Sequence, residues 1–340
     1  MRITYSLLFG LFIQMILFSA LPAQEIRPDV WSGQFYPRDP ASLSRQIESF
    51  LSEEKIQPIE GKILRAIIVP HAGYIYSGKV AARAYALVRN MDVETAVILA
   101  PSHRYGFKGC SISSADGYRT PLGIALVDKT LGSKLSEVTG YGFVPQAHRQ
   151  EHAVEVQVPF IQKVLPKTKI LPVVFGVPDK KTITRLARGL SQVLPGRKAL
   201  IIVSTDMSHF LPKKDANNLD GETASLIKGL KVSRLIEQLE AGDNIMCGGA
   251  GVAAALLTAQ EWGKVSVDLL MYADSGDAGG SGSGVVGYLA AAVSSSEKKT
   301  IKPFTLTEHE KKDLLTLARL AIHEACFTAG CRNTLRKKTC

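Results

Sequence analysis

The sequence predicts an α/β protein, a mostly parallel central sheet covered by helices. Three observations carry that expectation. Short apolar runs alternate with stretches of helical spacing along most of the chain. The runs are rich in Val and Ile and apolar on both faces, as strands covered by helices on both sides are. The chain has 340 residues, 46% hydrophobic and 21% charged, which suits an ordinary globular core.

The elements follow in order. Ile63–Val69 is the first strand, and Lys79–Arg89 has helical spacing after it. Thr95–Ala100 is the second strand. Glu151–Val164 reads as one helix and leads into the strand Ile170–Phe175. Ile183–Leu194 is helical and precedes the strand Ala199–Ser204. Glu222–Leu239 and Gly251–Trp262 are helical, and Val265–Tyr272 is the last strand of this reading. The segment Asp274–Gly284 is rich in Gly and Ser and reads as a flexible loop. It lacks the Gly-Lys-Ser/Thr ending of a phosphate-binding loop.

The ends differ from the body. Residues 1–23 hold one Arg, an apolar stretch and small residues near Ala20 and Ala23, the layout of a secretory signal. The expectation is an exported chain, periplasmic or extracellular; if the signal is not used, the N-terminus is a membrane anchor. After signal removal no stretch is apolar enough for a stable membrane span. Residues 24–296 form the main domain. Ser294–Thr300 reads as a linker, and 297–340 as a basic tail with one amphipathic helix from Leu306 to His323. Thr307 and Glu310 make a capping box at its start. One such helix cannot bury its face alone.

Charge and cysteine usage exclude some classes. The net charge is +10, but 297–340 hold ten Lys/Arg against five Asp/Glu, and 24–296 carry only +4. That is no stripe for nucleic acid, so no nucleic-acid partner is expected. Five cysteines without a CxxC pair do not make a disulfide framework.

Chemistry gathers at strand ends, where open α/β sheets bind ligands. His71 follows the first strand and His103 the second; Asp206 and His209 follow Ala199–Ser204; Asp274 follows Val265–Tyr272. Singly, a histidine after a strand is an ordinary turn residue. Repeated delivery to one edge is not what core packing needs, and each buried imidazole must be bonded or liganded. Two further clusters join them. His152 has Glu151 beside it and Glu155 one turn later, and Cys247 stands just before a helix, whose N-terminus favours a thiolate. Two imidazoles and a thiolate suit zinc, copper or iron and leave a coordination position open. Ser208 and Ser102 are weak nucleophiles, since no Gly-x-Ser-x-Gly elbow appears.

These residues carry a resemblance. WSGQFYP from Trp31, VPHAGYIYSG, LAPSHR, EHAVEVQVPF, STDMSHF, MCGG and YADSGD, followed by VVGY, resemble in that order the Memo family, also called AmmeMemoRadiSam system protein B. The likeness spans Val30 to Val293. It implies a fold similar to class III extradiol dioxygenases, metal ligands at His71, His103 and Cys247, and pocket residues at Asp206, His209, Glu151 and His152. Three features depart from the family pattern: Gly251 in place of a common Pro, GGSGSG in place of a loop with Asp and Arg, and the signal-like start. The tail LTEHEKKDLLTLARLAIHEAC resembles the opening helix of AmmeMemoRadiSam system protein A, as if a fusion were cut short.

Two functions follow as expectations. The first is an oxidoreductase or dioxygenase-like enzyme with iron or copper on His71, His103 and Cys247. His209 and Asp206 would position or deprotonate an unknown small-molecule or peptide substrate, and His152 with Glu151 would act as acid or base. Protein A and a radical SAM protein are the partners the resemblance implies. The second is a non-catalytic metal- or peptide-binding module on the same fold.

Overall fold

A mixed sheet organises the protein, and His71, His103 and Asp206 follow the carboxyl ends of its parallel strands. The computed structural model describes residues 24–53, 62–177, 179–243, 245–279, 284–296 and 307–328. Residues 1–23, which carry the export expectation, lie outside them, as do Cys331 and Cys340. The chain divides into two units, Met1–Glu297 and Lys298–Cys340.

The strands are β1 (Ile26–Arg27), β2 (Ile63–Val69), β3 (Thr95–Pro101), β4 (Cys110–Ile112), β5 (Gly117–Thr120), β6 (Gly123–Leu126), β7 (Lys169–Phe175), β8 (Ala199–Ser204), β9 (His209–Leu211), β10 (Val265–Asp274) and β11 (Val285–Ser295). The large sheet has the order β10-β11-β2-β8-β3-β7-β4, with β9 on β11. Its centre is parallel: β2 with β8, β8 with β3, β3 with β7. β4 is antiparallel to β7, and β11 is antiparallel to both β10 and β2. β10 therefore runs the same way as β2, and all five strands expected from the sequence share one direction. The parallel strands are mostly apolar, with polar residues such as Arg65, Thr95, Lys169 and Ser204 toward their ends, as strands covered by helices on both faces are. Ile67, Ile98, Leu99 and Ile202 are among their fully buried residues. Each such side chain contributes about 1.5–3 kcal/mol by burial. β1, β5 and β6 form a small separate sheet.

β11 corrects the linker expectation. Ser294 and Ser295 are buried strand residues, paired with Leu64 and Ile63 on one side and with Ser266 and Val265 on the other. Three serines in a row read as a connector, but the ladder on both flanks takes them up.

The helices are α1 (Pro40–Ser52), α2 (Tyr74–Val88), α3 (Lys129–Thr139), α4 (Pro145–Arg149), α5 (His152–Glu155), α6 (Val158–Val164), α7 (Lys180–Val193), α8 (Lys213–Lys228), α9 (Val232–Ala241), α10 (Gly249–Trp262) and α11 (Glu308–Thr328). α1 buries Leu43, Ile47 and Leu51, one turn apart, and Asp39 caps it by accepting from Ser42 N–H at 2.8 Å. α2 starts at Tyr74, before the expected Lys79, and takes in Gly78, where a Cβ would lie 2.5 Å from the Phe50 ring. The expected Glu151–Val164 helix is two short ones, α5 and α6, broken ahead of Pro159. Glu222–Leu239 is likewise split between α8 and α9, where Leu230 takes a left-handed φ of 55°.

In its own unit, α11 begins at the expected capping box: Thr307 Oγ1 donates to Glu310 Oε2 at 2.7 Å. Leu314, Leu317 and Ile322 are exposed on it. No described helix is long and apolar enough to cross a membrane.

Candidate metal centre

β2 ends at Val69, and Pro70 turns the chain so that His71 lies buried at the carboxyl edge, 1% exposed. Its surroundings set its tautomer. Ser204, the last residue of β8, has one hydroxyl hydrogen and donates it to Ala153 O at 2.6 Å. Ser204 Oγ can then only accept, from Gln157 Nε2 at 2.8 Å and from His71 Nδ1 at 3.0 Å. His71 therefore carries its proton on Nδ1 and keeps a lone pair on Nε2. Burial, then the charges of His103, His152 and His209, hold this imidazole well below its ordinary range, so it is neutral.

His103 is set in the same way from the next parallel strand. Its backbone N–H donates to Glu151 Oε2 at 2.6 Å, and its Nδ1 lies 2.9 Å from Glu151 Oε1. Glu151 is the N-cap of α5 and also accepts from Ala153 N–H at 2.9 Å. Burial raises this carboxyl, but the His103 hydrogen bond and charge outweigh it and leave Glu151 below its usual range, hence ionised. An ionised acceptor puts the His103 proton on Nδ1 and again frees Nε2.

Cys247 precedes Gly248, the residue ahead of α10. Its Sγ is 3.1 Å from His71 Nε2 and accepts from Asp206 N–H at 3.3 Å. Gly248 is required there, since a Cβ would overlap Ser204 O. One ligand atom from each of His71, His103 and Cys247 lies within 4.8 Å of the others. The thiolate expectation needs correction for the protein alone. Burial and then the Asp206 charge push the Cys247 thiol up, against the helix N-terminus. A cation bound by the sulfur reverses that balance, because a coordinating thiol is deprotonated. Two imidazole nitrogens with fixed lone pairs, beside a sulfur that already receives an N–H, fit a soft or borderline metal ion.

The other expected residues fall around this set. Asp206 is 4% exposed, and its Oδ1 accepts from His71 N–H at 2.7 Å, while Oδ2 lies 4.0 Å from His71 Nε2. Burial pushes its carboxyl up to about 7, partly offset by that N–H. His209 opens β9, close enough for its charge to act on His71. The His152 ring lies 4.5 Å from His103 and 5.3 Å from His71, with Phe35 at 4.7 Å and Trp31 at 5.8 Å. Burial pulls His152 down to about 4, and its Nδ1 is buried without a hydrogen-bond partner. His103, Glu151 and His152 also lie within 4.8 Å of one another. Glu151 already takes three N–H donors there, which makes it an orienting group.

Two acidic candidates have other work. Glu155 is fully buried, forms an ion pair with Arg27, and accepts from Trp31 N–H at 2.8 Å and Tyr36 Oη at 2.5 Å. It pins the segment whose Trp31 and Phe35 wall His152. Asp274 shares the sheet edge but is paired with Lys213 at 2.7 Å. Ser204 and Gln157 were missed by sequence reasoning, although both stand in the quoted motifs.

The chain is similar to several known proteins. A family model described as Memo-like protein matches residues 27–292. A MEMO1 family protein of Methanosarcina barkeri is 34% identical over 275 residues, 79% of this chain and 100% of its own length. One from Aquifex aeolicus is 34% identical, covering 78% of this chain and 97% of its own. A third, from Methanothermobacter thermautotrophicus, is 35% identical over 77% of this chain and 98% of its own. A crystal structure of the uncharacterized protein JW3007 from Escherichia coli K12 aligns with 68% of this chain and 100% of that one, at 11% identity and a TM-score of 0.47. The length and identity of the family matches establish that the chain belongs to the Memo-like protein family.

Proposed function

We propose that the protein is a metal-dependent oxidoreductase, dioxygenase-like in its arrangement, with iron or copper held by His71, His103 and Cys247. One observation carries the reading: separate hydrogen bonds fix both imidazoles with free Nε2 lone pairs, and ligand atoms of the three residues converge within 4.8 Å. The ion would supply an open coordination position that binds and polarises an oxygen ligand. The chain's own residues do the rest. Ser204 and Glu151 keep the protons on Nδ1 of the two ligand rings. Trp31 and Phe35 shield one side of His152 from water. In this reading His209 and Asp206 position or deprotonate the substrate, and His152 serves as acid or base beside Glu151.

A second reading, a non-catalytic metal- or peptide-binding module, is favoured by a specific observation. The nearby carboxylates are already engaged, Glu151 by three N–H donors and Asp206 by His71. A Cys also stands where oxygen-activating triads place a carboxylate. The family likeness leads us to propose further that the chain is a protein B, acting beside a protein A and a radical SAM protein; the signal-like layout of residues 1–23 leads us to propose that it is exported.

Elemental analysis of the full chain, purified anaerobically beside a His71→Ala, His103→Ala, Cys247→Ala variant, tests the metal. About one iron or copper per chain, lost in the variant, is the expected result. No metal in either protein sinks the oxidoreductase reading.

A further inference from the structure

Asp220, on α8, is fully buried. Its Oδ1 accepts from Ser208 N–H at 2.9 Å, and its Oδ2 from the Tyr272 hydroxyl at 2.7 Å. Burial, and then that hydrogen bond, keep the Tyr272 hydroxyl protonated, so it is the donor. Lys213, on the same helix, is engaged by Asp274 and Asp277 instead. Among the described residues no lysine or arginine forms an ion pair with Asp220. A carboxylate withdrawn from water without such a partner is costly, and the fold must hold it there against that cost.

The sheet makes room for it. Gly287 of β11 lies where a Cβ would overlap Asp220 Oδ2. The same glycine clasps the turn after β8: Met207 N–H donates to Gly287 O at 2.8 Å, and Gly287 N–H donates to Ser208 O at 3.1 Å. Helix, strand and turn thus meet at one carboxylate. The turn they hold is Asp206–His209, which carries the bond to His71 N–H and the His209 ring. The charges acting on His209 have two signs. Burial, then His103, lower its affinity for a proton, and Asp220 raises it. His209 in turn acts on His71.

We propose that Asp220 is a positioning residue for the candidate metal centre, anchoring the Asp206–His209 turn through Ser208 N–H and supplying the counter-charge to the His209 ring. The proposal rests on the reading of His71, His103 and Cys247 as metal ligands. It goes beyond that reading by assigning a role to a residue on the far side of β11.

The test uses the full chain and its Asp220→Asn, Asp220→Ala and Gly287→Ala variants, with cobalt(II) alone as the metal probe. Side-chain ¹H–¹⁵N spectra follow the His209 ring, and thermal melts report folding. Asp220→Asn keeps the shape and the acceptor for Ser208 N–H but removes the charge. It should leave the cobalt spectrum near that of the wild type and lower the His209 titration midpoint by about half a pH unit or more. Asp220→Ala removes the anchor and should displace the His209 ring resonances and alter the cobalt bands. Gly287→Ala, which pushes on the carboxylate from the strand, should do the same. A folded Asp220→Asn chain with an unmoved His209 midpoint overturns the proposal, whatever the other two variants do. A wild-type chain that binds no cobalt overturns the metal-centre reading instead, a different outcome from an unmoved His209 in a chain that binds it.

Discussion

Ser204 decides which nitrogen of His71 carries the proton, because its single hydroxyl hydrogen goes to Ala153 O. Ser204→Ala should therefore weaken metal binding by roughly 10–100-fold, as loss of a ligand-orienting partner does, measured by chelator competition. Glu151→Gln should act on His103 in the same direction. His148 offers a separate residue-scale prediction. It is buried against Tyr118 and Ser111, and burial, then the Arg27 charge, pull it down to about 4 from an ordinary 6.5. Below pH 6.5 the unfolded chain takes up this proton before the folded one does. The His148 contribution to stability therefore falls as pH drops from 6.5 toward 4, by about 2 kcal/mol between pH 7 and 5. Urea unfolding of the wild type and His148→Gln at the two pH values should differ in slope by about that amount, because the other buried histidines keep their own shares. The candidate ligands were legible in the sequence because each interrupts an otherwise regular pattern: two histidines end apolar runs, and a cysteine sits before a helix. Ser204 and Gln157 were not, because their roles depend on who receives one hydrogen, and only the folded chain decides that.

At the scale of elements, the caps and close approaches give the sharpest tests. Asp39→Ala removes the side-chain cap of α1 and should cost about 1 kcal/mol in a denaturant midpoint. Gly248→Ala drives a methyl into Ser204 O and must move the first turn of α10 or the end of β8. It should lower metal occupancy even where the melt shows a folded chain. Of the five strands of one direction, all but β10, partly exposed at the sheet edge, were readable from their double-sided apolar faces. The strand that separates two of them was not. β11 is rich in Ala and Ser, and its strand character comes from neighbours on both sides and not from its own propensity. Gly78 lies inside α2, where its lack of a side chain makes room for the Phe50 ring.

For the whole molecule, the site belongs to one unit. The candidate ligands and their orienting partners all lie before Glu297, and the second unit begins at Lys298. A chain ending at Ser296 should bind metal with the stoichiometry of the full chain, by elemental analysis of both. The sheet order has a consequence in time. Ile68, three residues before the first metal ligand, pairs on one side with Val203 and on the other with Ala291. A ribosome delivers the histidines and the cysteine well before it delivers β11. Until then β2 is a bare edge, and His71 has no finished wall behind it. On the ligand set proposed above, metal loading has to follow release of nearly the whole domain, and a nascent chain stalled before Val285 should carry His71, His103 and Cys247 yet fail to retain an ion.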